Sequence, residues 1–137
     1  MKQQVIIDTG VLVAILNKND HYHHWAKQEF AKIEPPLLTC EAVISECSFL
    51  LRNNQRTDIL LKWIEQGVLS LPLNLQNEIH TIRPLLAKYA NTPMSLADGS
   101  LVRLAEIYPH SAVFTLDSDF QVYRKNTTGL IPLIFPK

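Results

Sequence analysis

Val5-Ile6-Ile7-Asp8-Thr9-Gly10-Val11-Leu12 decides the fold. Three apolar β-branched residues run straight into an acid, and a Thr-Gly pair leads on into a second apolar segment, Val11 to Leu16. An apolar run this short predicts a strand buried on both faces, as in a parallel sheet. Asp8 then stands at the carboxyl end of that strand, the edge where open α/β sheets bind ligands. A desolvated carboxylate is costly there unless a cation or hydrogen bonds offset it. Asp8 can equally cap the helix that follows. The first strand alone leaves both readings open.

The pattern returns near the other end. Ser111-Ala112-Val113-Phe114-Thr115-Leu116 is the clearest strand after the first, and it closes on Asp117-Ser118-Asp119-Phe120. Between the two, helical and extended stretches alternate. Asp20 is expected to cap a helix running to about Ile33, with His21, His23 and His24 in its first turn. Thr39 can cap the next helix, which carries Glu41 and Glu46 and ends near Asn53-Asn54. A further helix starts at Thr57 or Asp58 and closes at Gly67. Asn74 to about Tyr89 reads helical, with Pro84 expected to kink or restart it. Ser95 and Asp98 have the spacing of a capping box opening a helix through Tyr108. Phe120 to Arg124 suggests a short helix. Five strands fit, at about 3–8, 37–39, 68–71, 112–116 and 130–134. Pro132 suggests an edge position for the last. The alternation predicts a three-layer α/β/α sandwich around a mostly parallel five-stranded sheet, as one domain over residues 1–137.

Composition narrows the class. Apolar residues are 47% of the 137, enough for a proper core. Thirteen Lys and Arg balance thirteen Asp and Glu, so no basic surplus marks a nucleic-acid face. Cys40 and Cys47 on one helix would stand about 10 Å apart along its axis, too far for a disulfide. Two reduced thiols and a first apolar run interrupted by Asp8 argue for a cytoplasmic protein without a signal peptide. No stretch is long enough for a membrane span. The three histidines have no acid beside them in a zinc-ligand pattern, so solvated first-turn residues are the simpler reading.

A parallel sheet gathers its strand ends. Asp8 and Asp117 close two strands, Asp98 opens the helix that leads into the second of them, and Glu46 lies on a helix that can lean over the same edge. Four carboxylates in one crevice repel each other unless a cation is present. Oxygen ligands without His or Cys suit Mg²⁺ or Mn²⁺. Such a site serves phosphodiester hydrolysis, with water activated by metal. Each acid also has a bland reading: Asp98 as a cap partner, Glu46 as an ordinary boundary residue, Glu41 as a rival acid favouring the helix dipole. The chain lacks the Gly-rich phosphate loops, the G-x-S-x-G elbow and the second acid two residues after Asp8 that other hydrolase classes need.

Taken together the motifs resemble those of PIN-domain nucleases, in particular the small VapC-like toxins of toxin–antitoxin pairs. The likeness rests on Val5-Ile6-Ile7-Asp8-Thr9-Gly10, on Glu46 after an apolar lead, on Met94-Ser95-Leu96-Ala97-Asp98, and on Phe114-Thr115-Leu116-Asp117-x-Asp119-Phe120. It implies a Mg²⁺- or Mn²⁺-dependent endoribonuclease in which Asp8, Glu46, Asp98 and Asp117 are the catalytic, metal-binding quartet. It also implies support from Asp119, a metal-side hydroxyl at Thr115, and a turn shaped by Thr9. A homodimer and a small antitoxin, placing an Arg among the acids, are implied as partners beside RNA. Arg52, Arg56, Arg103 and Arg124 are candidates for phosphate contact. Two alternatives are a PIN nuclease of RNA maturation without an antitoxin, and a catalytically silent module that binds RNA or protein.

Overall fold

The computed structural model describes residues 2–137. The five-stranded sheet runs in the order β3-β2-β1-β4-β7, with β1 Gln4–Ile7, β2 Leu37–Leu38, β3 Leu69–Ser70, β4 Ser111–Phe114 and β7 Leu133–Ile134. Every pairing within it is parallel. β1 and β4 are central, paired Gln4 to Ser111 through Ile7 to Phe114. Their continuous apolar runs follow from that position, since Ile6, Ile7, Val113 and Phe114 are all fully buried. Burying each of these side chains stabilises the fold by about 1.5–3 kcal/mol.

Six helices flank the sheet and complete the three layers: α1 Thr9–Leu16, α2 His23–Ala31, α3 Glu41–Leu51, α4 Asn54–Glu65, α5 Leu75–Lys88 and α6 Leu96–Ile107. α6 presents a broad apolar face, burying Leu101, Val102, Leu104 and Ala105. Gly99 allows α5 close to α6, because a Cβ there would sit 2.6 Å from Leu86 Cδ1. Among the described residues no helix is long and apolar enough to cross a membrane.

Several local expectations need correction. Residues 130–134 are not one strand. Leu130 belongs with Gly129 to β6, which forms an antiparallel hairpin with β5, Arg124–Lys125, outside the main sheet. Only Leu133–Ile134 joins the sheet, at its edge, where Pro132 fits because its carbonyl accepts from Val113 N–H at 2.8 Å. α4 starts earlier than Thr57. Arg52 turns left-handed (φ 48°) and ends α3, and Asn53 caps α4 at once by accepting from Arg56 N–H at 2.9 Å. Asp20 caps a turn, accepting from Tyr22 N–H at 2.9 Å, and α2 begins only at His23. Thr39 does not cap α3. The residue at that position is Cys40, and the Thr39 hydroxyl instead donates to the Ile7 carbonyl at 2.9 Å. Pro84 does not break α5. It lies on the exposed side, as does His80, whose carbonyl loses its helical donor to the proline ring and can take water.

Candidate active site

Asp8 leaves β1 in extended conformation (φ −96°, ψ 165°) and caps α1. Its own N–H donates to the Phe114 carbonyl at 3.0 Å, which carries the β1–β4 ladder one residue past the strand. Its carboxylate accepts from Thr9 N–H at Oδ1 (2.7 Å) and from the Thr115 hydroxyl at Oδ2 (2.8 Å). Asp117, two residues beyond Thr115, caps a short 3-10 turn, Ser118–Gln121, by accepting from Asp119 N–H at 2.9 Å. Asp98 is the third position of a complete capping box on α6. Its N–H donates to Ser95 Oγ at 3.0 Å and its Oδ2 accepts from Ser95 N–H at 3.1 Å.

These three acids meet. One carboxylate oxygen from each of Asp8, Asp98 and Asp117 lies within 4.8 Å of the others. Three carboxylates at that spacing, each already fixed by local hydrogen bonds, form a facing set of hard oxygen donors. Among the described residues no Lys or Arg pairs with any of them. Asp8 is 94% buried, and burial pushes its carboxyl up to about 6, further raised by Asp98 and Asp117 against the pull of its two hydrogen bonds. The Asp98 carboxyl is raised as well, by burial first and by Asp117. Charge in this cluster lacks a counter-ion, and a divalent cation is the group that would supply one.

Glu46 is not one of the three but lines the same open cleft of about 280 Å³, together with Leu50, Thr9, Gly10 and Leu116. It is exposed, at the rim contributed by α3. Glu41 lines a different cavity, of about 460 Å³, with Cys40 and Asn74. Asp119 lies outside both the trio and the cleft lining, and its N–H serves to hold Asp117. Thr9 holds Asp8 through its main chain, while its hydroxyl is buried without a hydrogen-bond partner among the described residues.

The other candidates disperse. His23 Nδ1–H donates to the Ala14 carbonyl at 2.7 Å, and His21 packs edge-on against Tyr22. Arg103 is engaged by Glu78 (2.6 Å) and Glu106 (3.1 Å), and Arg124 donates to the carbonyls of Gln121, Val122 and Tyr123. Arg52 lies over the Phe49 ring at the exposed end of α3. One residue near the acids was not anticipated. Tyr123 is fully buried, with its hydroxyl 3.4 Å from Asp98 Oδ2. Its only signal in the sequence is the i, i+3 spacing to Phe120.

The sequence model of the PIN-domain family matches residues 5–126, nearly the whole chain. The chain belongs to the PIN-domain family. A comparison with curated proteins finds no match. Among solved structures, this PIN domain is similar to VapC20 of Mycobacterium tuberculosis, described as a sarcin-ricin-loop-cleaving toxin. The TM-score is 0.76 at 20% identity, over 87% of this chain and 94% of that one. At that identity the likeness concerns the fold. The matched region contains Asp8, Glu46, Asp98 and Asp117.

Proposed function

We propose that this chain, a single PIN domain over residues 1–137, is a cytoplasmic divalent-metal-dependent endoribonuclease and the toxin of a toxin–antitoxin pair. The observation that carries the reading is the trio of Asp8, Asp98 and Asp117, with oxygens within 4.8 Å of one another and no basic partner among the described residues. An all-oxygen donor set with a strongly desolvated member fits Mg²⁺ or Mn²⁺. A bound ion would supply Lewis-acid chemistry at the phosphodiester and a nucleophilic water at neutral pH.

The chain's own residues have distinct tasks. Asp8, Asp98 and Asp117 hold the ion, and Glu46 completes the acidic wall from the rim of the cleft. Thr115 keeps Asp8 and Asp117 in register, and Thr9 and Asp119 brace them through main-chain N–H groups. The cleft lining holds carboxylates and no His or Lys, and the acids are assigned to binding and orienting the ion. Arg52 and Arg56, beyond Glu46 in the chain at the α3–α4 junction, are the arginines proposed for RNA phosphates. Arg103 and Arg124 are engaged internally and are dropped from that role.

The partners proposed are an RNA, a second copy of the chain and a small antitoxin. The antitoxin would place a basic side chain among the uncompensated acids, where a bidentate Arg fits best. A short neighbouring reading frame encoding a protein that silences the enzyme is the expected genetic signature. The biochemical test is incubation with a tRNA pool and with a sarcin-ricin-loop hairpin, the target described for VapC20, in Mn²⁺ or EDTA. Discrete cleavage in Mn²⁺ alone supports the proposal. Cleavage indifferent to metal, or none of either RNA by folded protein, counts against it.

A further inference from the structure

Thr115 ties Asp8 to the end of β4. Asp98 has a corresponding tie from outside its own helix, and it comes from Tyr123. The Tyr123 hydroxyl stands 3.4 Å from Asp98 Oδ2 and 3.5 Å from the Pro93 carbonyl. A phenol carries one proton, and of two acceptors the ionised carboxylate is the stronger. Asp98 Oδ2 also accepts from Ser95 N–H at 3.1 Å. Asp98 is therefore held from two sides, by its own helix cap and by Tyr123.

The ring of Tyr123 makes the tie stiff. It packs edge-on against Phe120 (centroids 5.2 Å apart, planes at 84°) and against Tyr89 (5.1 Å, 69°). Phe120 belongs to the 3-10 turn that Asp117 caps. The same aromatic group thus connects the turn that holds Asp117 to the carboxylate of Asp98. Edge-to-face pairs have a preferred geometry and contribute beyond their area burial.

We propose that Tyr123 is a positioning residue of the acid trio, setting the orientation of Asp98 and its distance from Asp117 for metal binding. The inference rests on the metal-binding reading given above. The group that holds a metal-ligating carboxylate is itself a determinant of affinity, and its loss weakens metal binding by about 10- to 100-fold.

The test is Tyr123→Phe, which keeps the ring and removes only the hydroxyl. Mn²⁺ affinity is measured by calorimetry and the melting temperature in EDTA, with Tyr89→Phe as control. The Tyr89 hydroxyl accepts from Arg124 N–H at 2.9 Å. Tyr123→Phe is expected to bind Mn²⁺ about tenfold more weakly, to melt in EDTA close to wild type, and to recover cleavage at saturating Mn²⁺. Tyr89→Phe is expected to leave Mn²⁺ affinity unchanged. Wild-type affinity in folded Tyr123→Phe overturns the positioning role, as does an equal loss in both variants. Absence of Mn²⁺ binding by the wild-type protein overturns the metal reading itself, which is a separate failure.

Discussion

The Thr115 hydroxyl stands between two acids: it donates to Asp8 Oδ2 at 2.8 Å and accepts from Asp117 N–H at 2.9 Å. Thr115 is fully buried, so neither contact can be replaced by bulk water. One side chain thus fixes the spacing of two adjacent strand ends.

Thr115→Val removes both bonds at nearly constant volume. It leaves the buried Asp8 Oδ2 and the half-buried Asp117 N–H without this partner, and is expected to destabilise the metal-free protein by about 1–3 kcal/mol. Thr115→Ser keeps the hydroxyl and should lose much less. Urea denaturation in EDTA of the three proteins checks this. Equal stability of Thr115→Val and wild type would mean that the bridge does not restrain the strand ends.

Burial of Asp8 makes metal-free stability depend on pH in an unusual direction. Its carboxyl rises from 3.8 to about 6 in the folded chain. Below pH 4 it is protonated in both states and imposes no penalty. Between pH 4 and 6 the unfolded chain ionises first, so stability falls as pH rises through that window. Above pH 6 the loss is constant at roughly 3 kcal/mol. The raised Asp98 carboxyl adds a contribution of the same sign. Asp8→Asn, which can still cap α1, should remove most of the slope. The measurement is the difference in unfolding free energy between wild type and variant in EDTA from pH 4 to 7. A difference that does not change with pH contradicts the desolvated Asp8.

The two acids of α3 are separated by the cavities they line. Glu46 faces the cleft of Asp8, Asp98 and Asp117, and Glu41 faces the cavity of Cys40 and Asn74. Glu46→Gln is expected to slow RNA cleavage at least about tenfold, the effect of losing a group that holds or orients the metal. Glu41→Gln should leave the rate within about twofold, as a surface change away from the site does. The opposite ranking in initial rates at fixed Mn²⁺ would move the fourth acid to the other side of the helix.

Thr9 supports Asp8 with its N–H alone, while its hydroxyl is buried and unpartnered. Thr9→Val removes an unsatisfied polar atom without changing shape and is expected to be neutral or stabilising by about 1 kcal/mol. Thermal denaturation in EDTA decides it. A clear loss of stability would mean that the hydroxyl has a partner, such as an ordered water.

The central strands were legible because a double-sided burial requirement leaves a continuous apolar run, which Ile6-Ile7 and Val113-Phe114 display. The edge was not. Leu130, 71% exposed, carries the same apolar letter as the residues that enter the sheet, and Pro132 between the β6 hairpin and β7 is equally compatible with a continuous edge strand. The start of α4 was hidden for a related reason: Arg52 alone reverses the chain, and Asn53 follows as a cap without an intervening loop. At Asp8 and Asp98 the capping and the functional readings competed in the sequence. In the structure both acids cap a helix and also join the trio, and a carboxylate has lone pairs enough for a cap and a further ligand. Tyr123 was beyond reach, since its relation to Asp98 is made by tertiary packing of the aromatic cluster.

The most direct test compares RNA cleavage by wild type and Asp8→Asn in Mn²⁺, with EDTA as the blank and melting curves as the check on folding. Cleavage by wild type only with metal is predicted. Asp8→Asn is predicted to lose that cleavage while melting, in EDTA at neutral pH, at or above the wild-type temperature. Cleavage at the wild-type rate by folded Asp8→Asn, or by wild type in EDTA, would contradict a metal site built on Asp8, Asp98 and Asp117.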